Sequence, residues 1–507
     1  MNMLRTHYLL VLLIVSGACC PGSALGDAAG AVGQSKWLGT NLSANDPWST
    51  AAPWCDVAHQ MTGWYKARKD QPPLQYDDNG YPQGPAMCHL WLYAYPTGTY
   101  HLHYRAARNF WVSGKRVRNL HTTADGAREA DVDFKTDEFI RFEVDGPVSD
   151  VHLYAPDAKP GQMFRDAFLN YLRPYAVVRL MTWCKINNGG DGSGPPPIHL
   201  SNRVKATDWD QTTRGVAYEF QAELCREAGV QPWANVPYGA DDEYIAAEAT
   251  CFAPRAGSQD QPFQTVRWEY GNELWNTTLG PQGMQIRKDA DPNVYGPGDP
   301  NQRGARRAAA LTAHAGAIAR RVLGKDHALV VFGAQAAWNA WASDGLAFAK
   351  PGDIDVLAVA PYFQPTWKTP IKNVSDMLAS CDQWITTVIE PGLTQNKAAA
   401  DKYGCAFEAY EGGQHLMPAN RHGNPEGNPQ QRQEFANDLS TLAQNDPQMG
   451  ALYDRLFAVS RQHGIRLFCH FLVIGPWNRW GYWGLYPRTG DPDGVKAAAV
   501  KRAMAAR

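Results

Sequence analysis

The sequence has almost no excess charge of either sign. Its 48 basic and 50 acidic residues leave a formal net charge of −2 over 507 residues, with 19% of positions charged. A nucleic-acid partner would call for a basic face, so none is expected. Apolar runs are short, and Tyr8 to Val15 cannot span a bilayer. The 10 cysteines form no CxxC pair and no Cys/His ligand spacing, so neither a zinc site nor another metal or cofactor is expected. No glycine-rich turn follows an early strand, which disfavours a doubly wound nucleotide-binding sheet. No repeat of fixed period is present.

Aromatic residues are abundant, at 11% with 18 Trp, many of them beside Gly, Pro or Asn. Rings at loop positions can stack on sugar faces, although a large core also consumes Trp. Arg5, the run Tyr8 to Val15 and the small residues Gly22-Ser23-Ala24 read as a signal peptide over residues 1–24, giving a secreted or periplasmic protein. Ser16-Gly17-Ala18-Cys19 resembles a lipoprotein cleavage box and offers a lipid anchor at Cys19. In an oxidising compartment, disulfides among the remaining cysteines are plausible, with Cys405 and Cys469 better suited to buried thiols.

Hydrophobic periodicity divides the chain. Trp37 to Leu42 is a short strand, and residues 25–62 hold it and its loop. Over residues 63–157, alternating runs such as Thr99 to Ala106 and Phe139 to Val144 lie between turn residues, as in a small inserted β-sandwich. From residue 158 to 507, helix and strand alternate. Strands are predicted at Ala176–Met181, Gln231–Val236, Val266–Tyr270, Ala328–Phe332, Val356–Ala360, Ala406–Tyr410 and Ile465–Phe471, and Asp241-Asp242 reads as a helix cap. With the first, these make eight strands, and the expected fold is α/β, a (β/α)8 TIM barrel carrying the β insertion. Its long loops would gather at the C-terminal face, where barrel active sites lie.

Two predicted strands end on acids. Trp268-Glu269-Tyr270-Gly271-Asn272-Glu273 follows the fourth, and Glu408-Ala409-Tyr410-Glu411-Gly412-Gly413 follows the seventh. Paired carboxyls are what glycoside hydrolysis needs, one to protonate the leaving oxygen and one to attack or to activate water. The Asn272-Glu273 motif and the placement of Glu411 resemble the clan A retaining glycoside hydrolases. Arg179-Leu180-Met181-Thr182-Trp183 and Pro232-Trp233-Ala234-Asn235-Val236-Pro237 are similar to segments of secreted bacterial proteins loosely labelled cellulose-binding.

The resemblance implies that Glu273 is the acid/base, that Glu411 is the nucleophile and that Asn272 holds a sugar hydroxyl. It also implies that Arg179 contacts the nucleophile, with a structural ion pair as the alternative. Tyr362 could donate to Glu411, and Trp477 would be a platform under the scissile sugar. Trp183, Tyr238 and Trp338 follow strands and could stack on sugar, and His470 could bond hydroxyls; packing is the alternative for each. Glu269, four residues before Glu273, reads as a barrel-interior carboxylate paired with a base. Glu408 has opposite parity to Glu411 and is expected to face the helices. The expected function is retaining hydrolysis of a polysaccharide, β-linked or arabinose-containing. A non-catalytic carbohydrate-binding barrel is the alternative, and binding by the β insertion is a third reading.

Overall fold

A computed structural model describes residues 36–187, 198–255, 257, 262–366, 370–418, 422–425 and 427–506. The expected signal peptide, its cleavage after Ala24, the Cys19 anchor and residues 188–197 of the Gly/Pro-rich loop lie outside the described residues.

Eight parallel strands close into a barrel: β1 (Leu38–Asn41), β2 (Val177–Arg179), β3 (Gln231–Val236), β4 (Val266–Tyr270), β5 (Ala328–Gly333), β6 (Val356–Val359), β7 (Ala406–Ala409) and β8 (Phe468–His470). Closure comes from β1 pairing with β8 in the register Leu38↔Phe468, Gly39↔Cys469, Thr40↔His470. Gly39 is required there, because a Cβ would lie 2.5 Å from the Cys469 sulfur. This is a (β/α)8 barrel with an inserted β-sandwich. Helices such as Tyr218–Ala228, Asp242–Phe252 and Pro300–Leu323 pack around the strands, and the Asp241 side chain caps the second of these by accepting from the Tyr244 amide.

Val177, Trp233, Val331, Val356, Ala358, Tyr410, Leu467 and Cys469 cluster together as the barrel's interior core. Period-two alternation places Arg267 and Glu269 of β4 in line with them, and Glu408 in line with Tyr410. Arg267 binds Glu408 through two bonds of 2.7 Å. Since β4 and β7 are not neighbours, this pair crosses the lumen. Glu408 therefore faces the interior rather than the helices. The parity argument fails because β7 pairing ends at Ala409, so counting by twos cannot be carried on to Glu411.

Between β1 and β2 the chain forms two four-stranded antiparallel sheets. One runs in the order Tyr65–Lys66, Ala86–Trp91, Phe139–Val144, Phe110–Val112; the other runs Arg118–Thr122, Arg128–Phe134, Gly98–Ala106, Val148–Tyr154. Leu90, Tyr100, Leu102, Val132, Phe134, Ile140 and Phe142 are buried in their shared core. That core also takes in Val57 and Met61 before the sheets and Trp209 after β2, whose indole donates to the Thr62 carbonyl at 3.0 Å. All eight described cysteines are free, contrary to the expected disulfides. They are spread over the sandwich (Cys88), the lumen (Cys469) and separate helices (Cys225, Cys381).

A chain of imidazoles and carboxylates begins at buried Asp56. His152 Nδ1 lies 2.6 Å from Asp56, its Nε2 3.1 Å from Asp150, and Asp150 is 3.1 Å from His103. Hydrogen bonding to Asp56 raises the His152 pKa to about 9, against a smaller opposing effect of burial. A raised histidine pKa adds stability below its unfolded value and loses it as pH rises through the folded one. The melting temperature should therefore fall between about pH 6.5 and about pH 9, and His152→Gln should flatten that slope. Scanning calorimetry on both proteins checks it; equal slopes would refute the assignment.

Candidate active site

The two motif acids stand just past the ends of their strands. β4 ends at Tyr270, and Gly271 then turns with φ 73°, where a Cβ would strike the Leu274 side chain at 2.7 Å. Glu273 itself has φ 45°, a left-handed conformation that costs a non-glycine residue of order 1–3 kcal/mol. β7 ends at Ala409, and Gly412 and Gly413 follow Glu411. A Cβ on Gly412 would meet the Phe468 ring at 2.7 Å, and Gly413 has φ 130°. Both acids are thus delivered by tight turns rather than by the ladder.

Arg179 of β2 organises the floor beneath them. Its Nε and Nη2 each donate to Glu269 at 2.9 Å, and Nη2 also donates to Asn272 Oδ1 at 2.7 Å. Nη1 reaches Asn41 Oδ1 at 3.2 Å and Glu411 Oε2 at 3.5 Å. The guanidinium is fully buried and lies 4.8 Å from the Tyr410 ring centre. Glu269 also accepts from Trp233 Nε1 at 2.8 Å and Asn235 Nδ2 at 2.9 Å. Arg179 therefore makes the structural ion pair and the contact to Glu411 together.

Glu273 and Glu411 lie close enough for each carboxyl to shift the other's titration. Burial raises both pKa values, and Glu411 rises well above the usual carboxylate range, with Arg179 opposing the rise and the like charge of Glu273 adding to it. Glu273 also accepts from Asn276 Nδ2 at 2.9 Å and from the Tyr410 hydroxyl at 3.4 Å. Two such groups cannot both ionise freely, so they titrate as one unit that holds a proton between them.

The other sequence candidates divide. Asn272 is buried, with its amide nitrogen 3.2 Å from Asn187 Oδ1 and its backbone carbonyl held by Gln282 at 2.6 Å. Tyr362 stands beside the acid pair, where burial and then both carboxylates push its hydroxyl pKa well up. Among the described residues that hydroxyl makes no hydrogen bond, and the tyrosine that touches an acid is Tyr410. Trp338 is 36% exposed.

Three candidates, Trp183, Tyr238 and His470, are corrected, and Trp477 is half-buried. Trp183 is buried, stacked on Trp54 at 5.5 Å with its indole bound to the Ser43 carbonyl. Tyr238 is buried against Tyr270, with its hydroxyl 3.3 Å from Asp289. Trp477 is half-buried, with Lys496 Nζ 4.4 Å from its ring centre and its indole donating to the Gly484 carbonyl, which leaves the platform role open. His470 is buried, paired with the Tyr453 hydroxyl at 3.1 Å. In β8 it alternates with inward Cys469, so it faces the helix Pro447–Gln462. Burial first, then Lys496, lowers its pKa to about 3.

The sequence reading missed a cycle of aromatic rings: Tyr362 to His415 at 5.3 Å, His415 to Trp483 at 5.8 Å, Trp483 to Phe471 at 6.1 Å and Phe471 back to Tyr362 at 6.3 Å. Its Tyr362 edge adjoins the acids. Trp483, in Gly481-Tyr482-Trp483-Gly484, has the glycine-flanked setting that drew attention to other tryptophans.

No family model and no curated protein matches the chain. Among solved structures, it is similar to the GH51 arabinofuranosidase from Xanthomonas axonopodis pv. citri, at 15% identity over 63% of this chain and 62% of that one, with a TM-score of 0.40. It is also similar to a modular family 26 endo-β-1,4-mannanase from Cellulomonas fimi, at 13% identity over 66% of this chain and 63% of that one, TM-score 0.36. A third is a thermostable mutant of a xylanase from Cellvibrio japonicus, at 12% identity over 67% of this chain and 92% of that one, TM-score 0.36. The chain spans less than two thirds of the length of the first two. At this level of likeness no residue role or substrate transfers, and no comparison supports the link to proteins labelled cellulose-binding.

Two outcomes follow from these electrostatics. The folded protein keeps a proton that the unfolded chain releases above the ordinary carboxylate pKa, so the acid pair costs stability as pH rises. Glu411→Gln should melt higher than wild type at pH 7, with the gap closing toward about pH 4; an unchanged gap would contradict the shared proton. Arg179→Met leaves Glu269 buried and unpaired and should cost about 3–5 kcal/mol in urea denaturation.

Proposed function

We propose that the protein is a retaining glycoside hydrolase that acts on a polysaccharide, β-linked or arabinose-containing, outside the cytoplasm. The observation that carries this reading is the pair of carboxyls, half-buried Glu273 past the end of β4 and buried Glu411 past the end of β7, close enough to shift one another's titration and with Arg179 bonded to Glu411. A retaining pair stands ~5–5.5 Å apart and an inverting pair ~6.5–9.5 Å, to admit a water, and this reading expects the shorter separation. The export part of the proposal rests on residues 1–24 alone.

In the first step, Glu411 attacks the anomeric carbon and forms a glycosyl ester while the glycosidic C–O bond breaks. Glu273 gives its proton to the departing oxygen. In the second step Glu273 takes a proton from water, whose oxygen attacks the same carbon and releases Glu411. On this reading Asn272, held by Arg179 and Gln282, bonds a sugar hydroxyl next to the reacting carbon. The aromatic cycle from Tyr362 to Trp483 supplies an apolar wall beside the acids.

Glu273→Ala should lose roughly 10²–10⁴-fold in turnover of polysaccharide, the usual worth of general acid–base catalysis. On a 2,4-dinitrophenyl glycoside, whose leaving group needs no proton, the first step should survive, and added azide should restore turnover and yield a glycosyl azide of retained configuration. Glu411→Gln should be inactive on both substrates, with no azide rescue. Full activity in Glu411→Gln, or an azide product of inverted configuration, would sink the proposal. Binding of polysaccharide with no product released by wild type would replace it with the carbohydrate-binding barrel.

A further inference from the structure

The inserted sandwich turns one sheet face outward with an unusual composition. In the sheet containing Ala86–Trp91 and Phe139–Val144, Leu90, Ile140 and Phe142 point into the core, and the alternate positions point out. Those outward positions are Met87, His89, Trp91, Phe139, Arg141 and Glu143, with the rings gathered at one end. Trp91 is 38% exposed and Phe139 41%, directly opposite one another in the register. Their ring centres are 5.3 Å apart, and Tyr93 stacks on Trp91 at 5.6 Å with the planes 8° apart. His89 continues the row, 5.3 Å from Phe139, and Tyr65 follows at 5.6 Å from His89, its hydroxyl bonded to His89 Nδ1 at 2.9 Å. The result is a strip of five adjoining rings on rigid, hydrogen-bonded backbone.

Leaving this much aromatic surface in water forgoes burial worth about 25 cal/mol per Å², so a contiguous patch of it marks a binding face. Three features say what it binds. The strip is made of rings rather than branched aliphatics, and flat rings fit the C–H faces of sugar rings. Polar groups border it, including the Tyr65 hydroxyl and the Arg141–Glu143 pair at 2.6 Å, which suit hydroxyl partners and leave no net charge to draw an anionic surface. The sheet that carries the strip is also tied to the loops after β1 and β8. The Trp91 amide donates to the Pro47 carbonyl at 2.8 Å, next to Trp48, which is 57% exposed in the loop after β1. Asp137, two residues before Phe139, holds Arg488 of the loop after β8 through bonds of 3.0 and 2.6 Å. Both loops leave the barrel at the end that carries Glu273 and Glu411.

We propose that this aromatic face is a second binding surface for a polysaccharide chain, gripping a stretch of the same polymer whose cut segment lies at the acid pair. The proposal rests on the hydrolase reading for the identity of the polymer but not for the existence of the grip. Trp91 and Phe139 carry the stacking, and Trp48 extends the track to the barrel mouth.

The test is native electrophoresis of the full-length protein through gels cast with arabinan, xylan, galactomannan or hydroxyethylcellulose. Wild type and Glu411→Gln should both be retarded by at least one polymer. Trp91→Ala and Phe139→Ala, made singly because each ring is open on one side, should weaken that retardation about tenfold each while melting within a few degrees of wild type. Both should still hydrolyse a 2,4-dinitrophenyl glycoside at the wild-type rate. Retardation of Glu411→Gln would stand even if no hydrolysis were found, so the two readings fail separately. No retardation in any gel, or equal retardation of the ring variants, would overturn the proposal. A wild-type dimer in sedimentation equilibrium that Trp91→Ala converts to monomer would also overturn it, since the face would then be occupied by a second copy.

Discussion

The bidentate bond between Arg179 and Glu269 is the constraint on which the rest of the site hangs. Both partners are buried, so neither tolerates losing the other, and the guanidinium is fixed in plane by two bonds of 2.9 Å. That fixed plane leaves its remaining donors aimed at Asn272, Asn41 and Glu411. Asn41 in turn donates to the Tyr410 carbonyl at 3.0 Å, one residue before Glu411. One side chain from β2 thereby ties together β1, β4 and the turn after β7. A lysine could not replace it, since a single ammonium lacks the planar fork that satisfies Glu269 while still reaching three other groups.

Barrel architecture was legible because it depends on periodicity. Every strand predicted from an apolar run is present, each within a few residues of its expected ends, and Asp241 caps its helix as its position implied. The acid motifs were legible for a related reason, since a carboxylate at the end of a buried strand has to be paired or put to use. Orientation beyond the strand ends was not. Counting by twos from Glu411 put Glu408 on the helix side, although β7 pairing stops at Ala409 and Glu408 crosses the lumen to Arg267. The same arithmetic would have found His470, whose alternation with Cys469 turns it away from the cleft.

Loop aromatics were the least legible, and the reason is physical. A tryptophan after a strand is drawn to apolar surface whether the surface belongs to a sugar or to a neighbouring loop. Trp183 found Trp54, and Trp477 found Lys496, while Trp483 joined the ring cycle near the acids. Nothing local in the sequence separates these outcomes, because each is decided by a partner in another element of the fold. Within the inserted sheet the position is better, since alternation assigns Leu90 inward and Trp91 outward without knowledge of any partner. The aromatic face could have been read from Ala86–Trp91 and Phe139–Val144 together, had their pairing been known.

The acid pair poses a question that its protonation answers. A retaining mechanism needs one proton on two carboxyls, with the proton on Glu273. The pair meets the first requirement without fixing the second, because the two carboxyls titrate together and burial raises both. The asymmetry lies in their surroundings. Arg179 touches Glu411 and works against its protonation, whereas Glu273 has Asn276 and Tyr410 as neutral donors. Under the proposed hydrolase reading, a sugar entering between the two would separate them, and the carboxyl beside the guanidinium would then be the better anion. Glu273, held at φ 45° by the turn after Gly271, would keep the proton for the leaving oxygen. On this reading the strained turn and the buried arginine serve one end: the site stores the right number of protons when empty and assigns them only when filled.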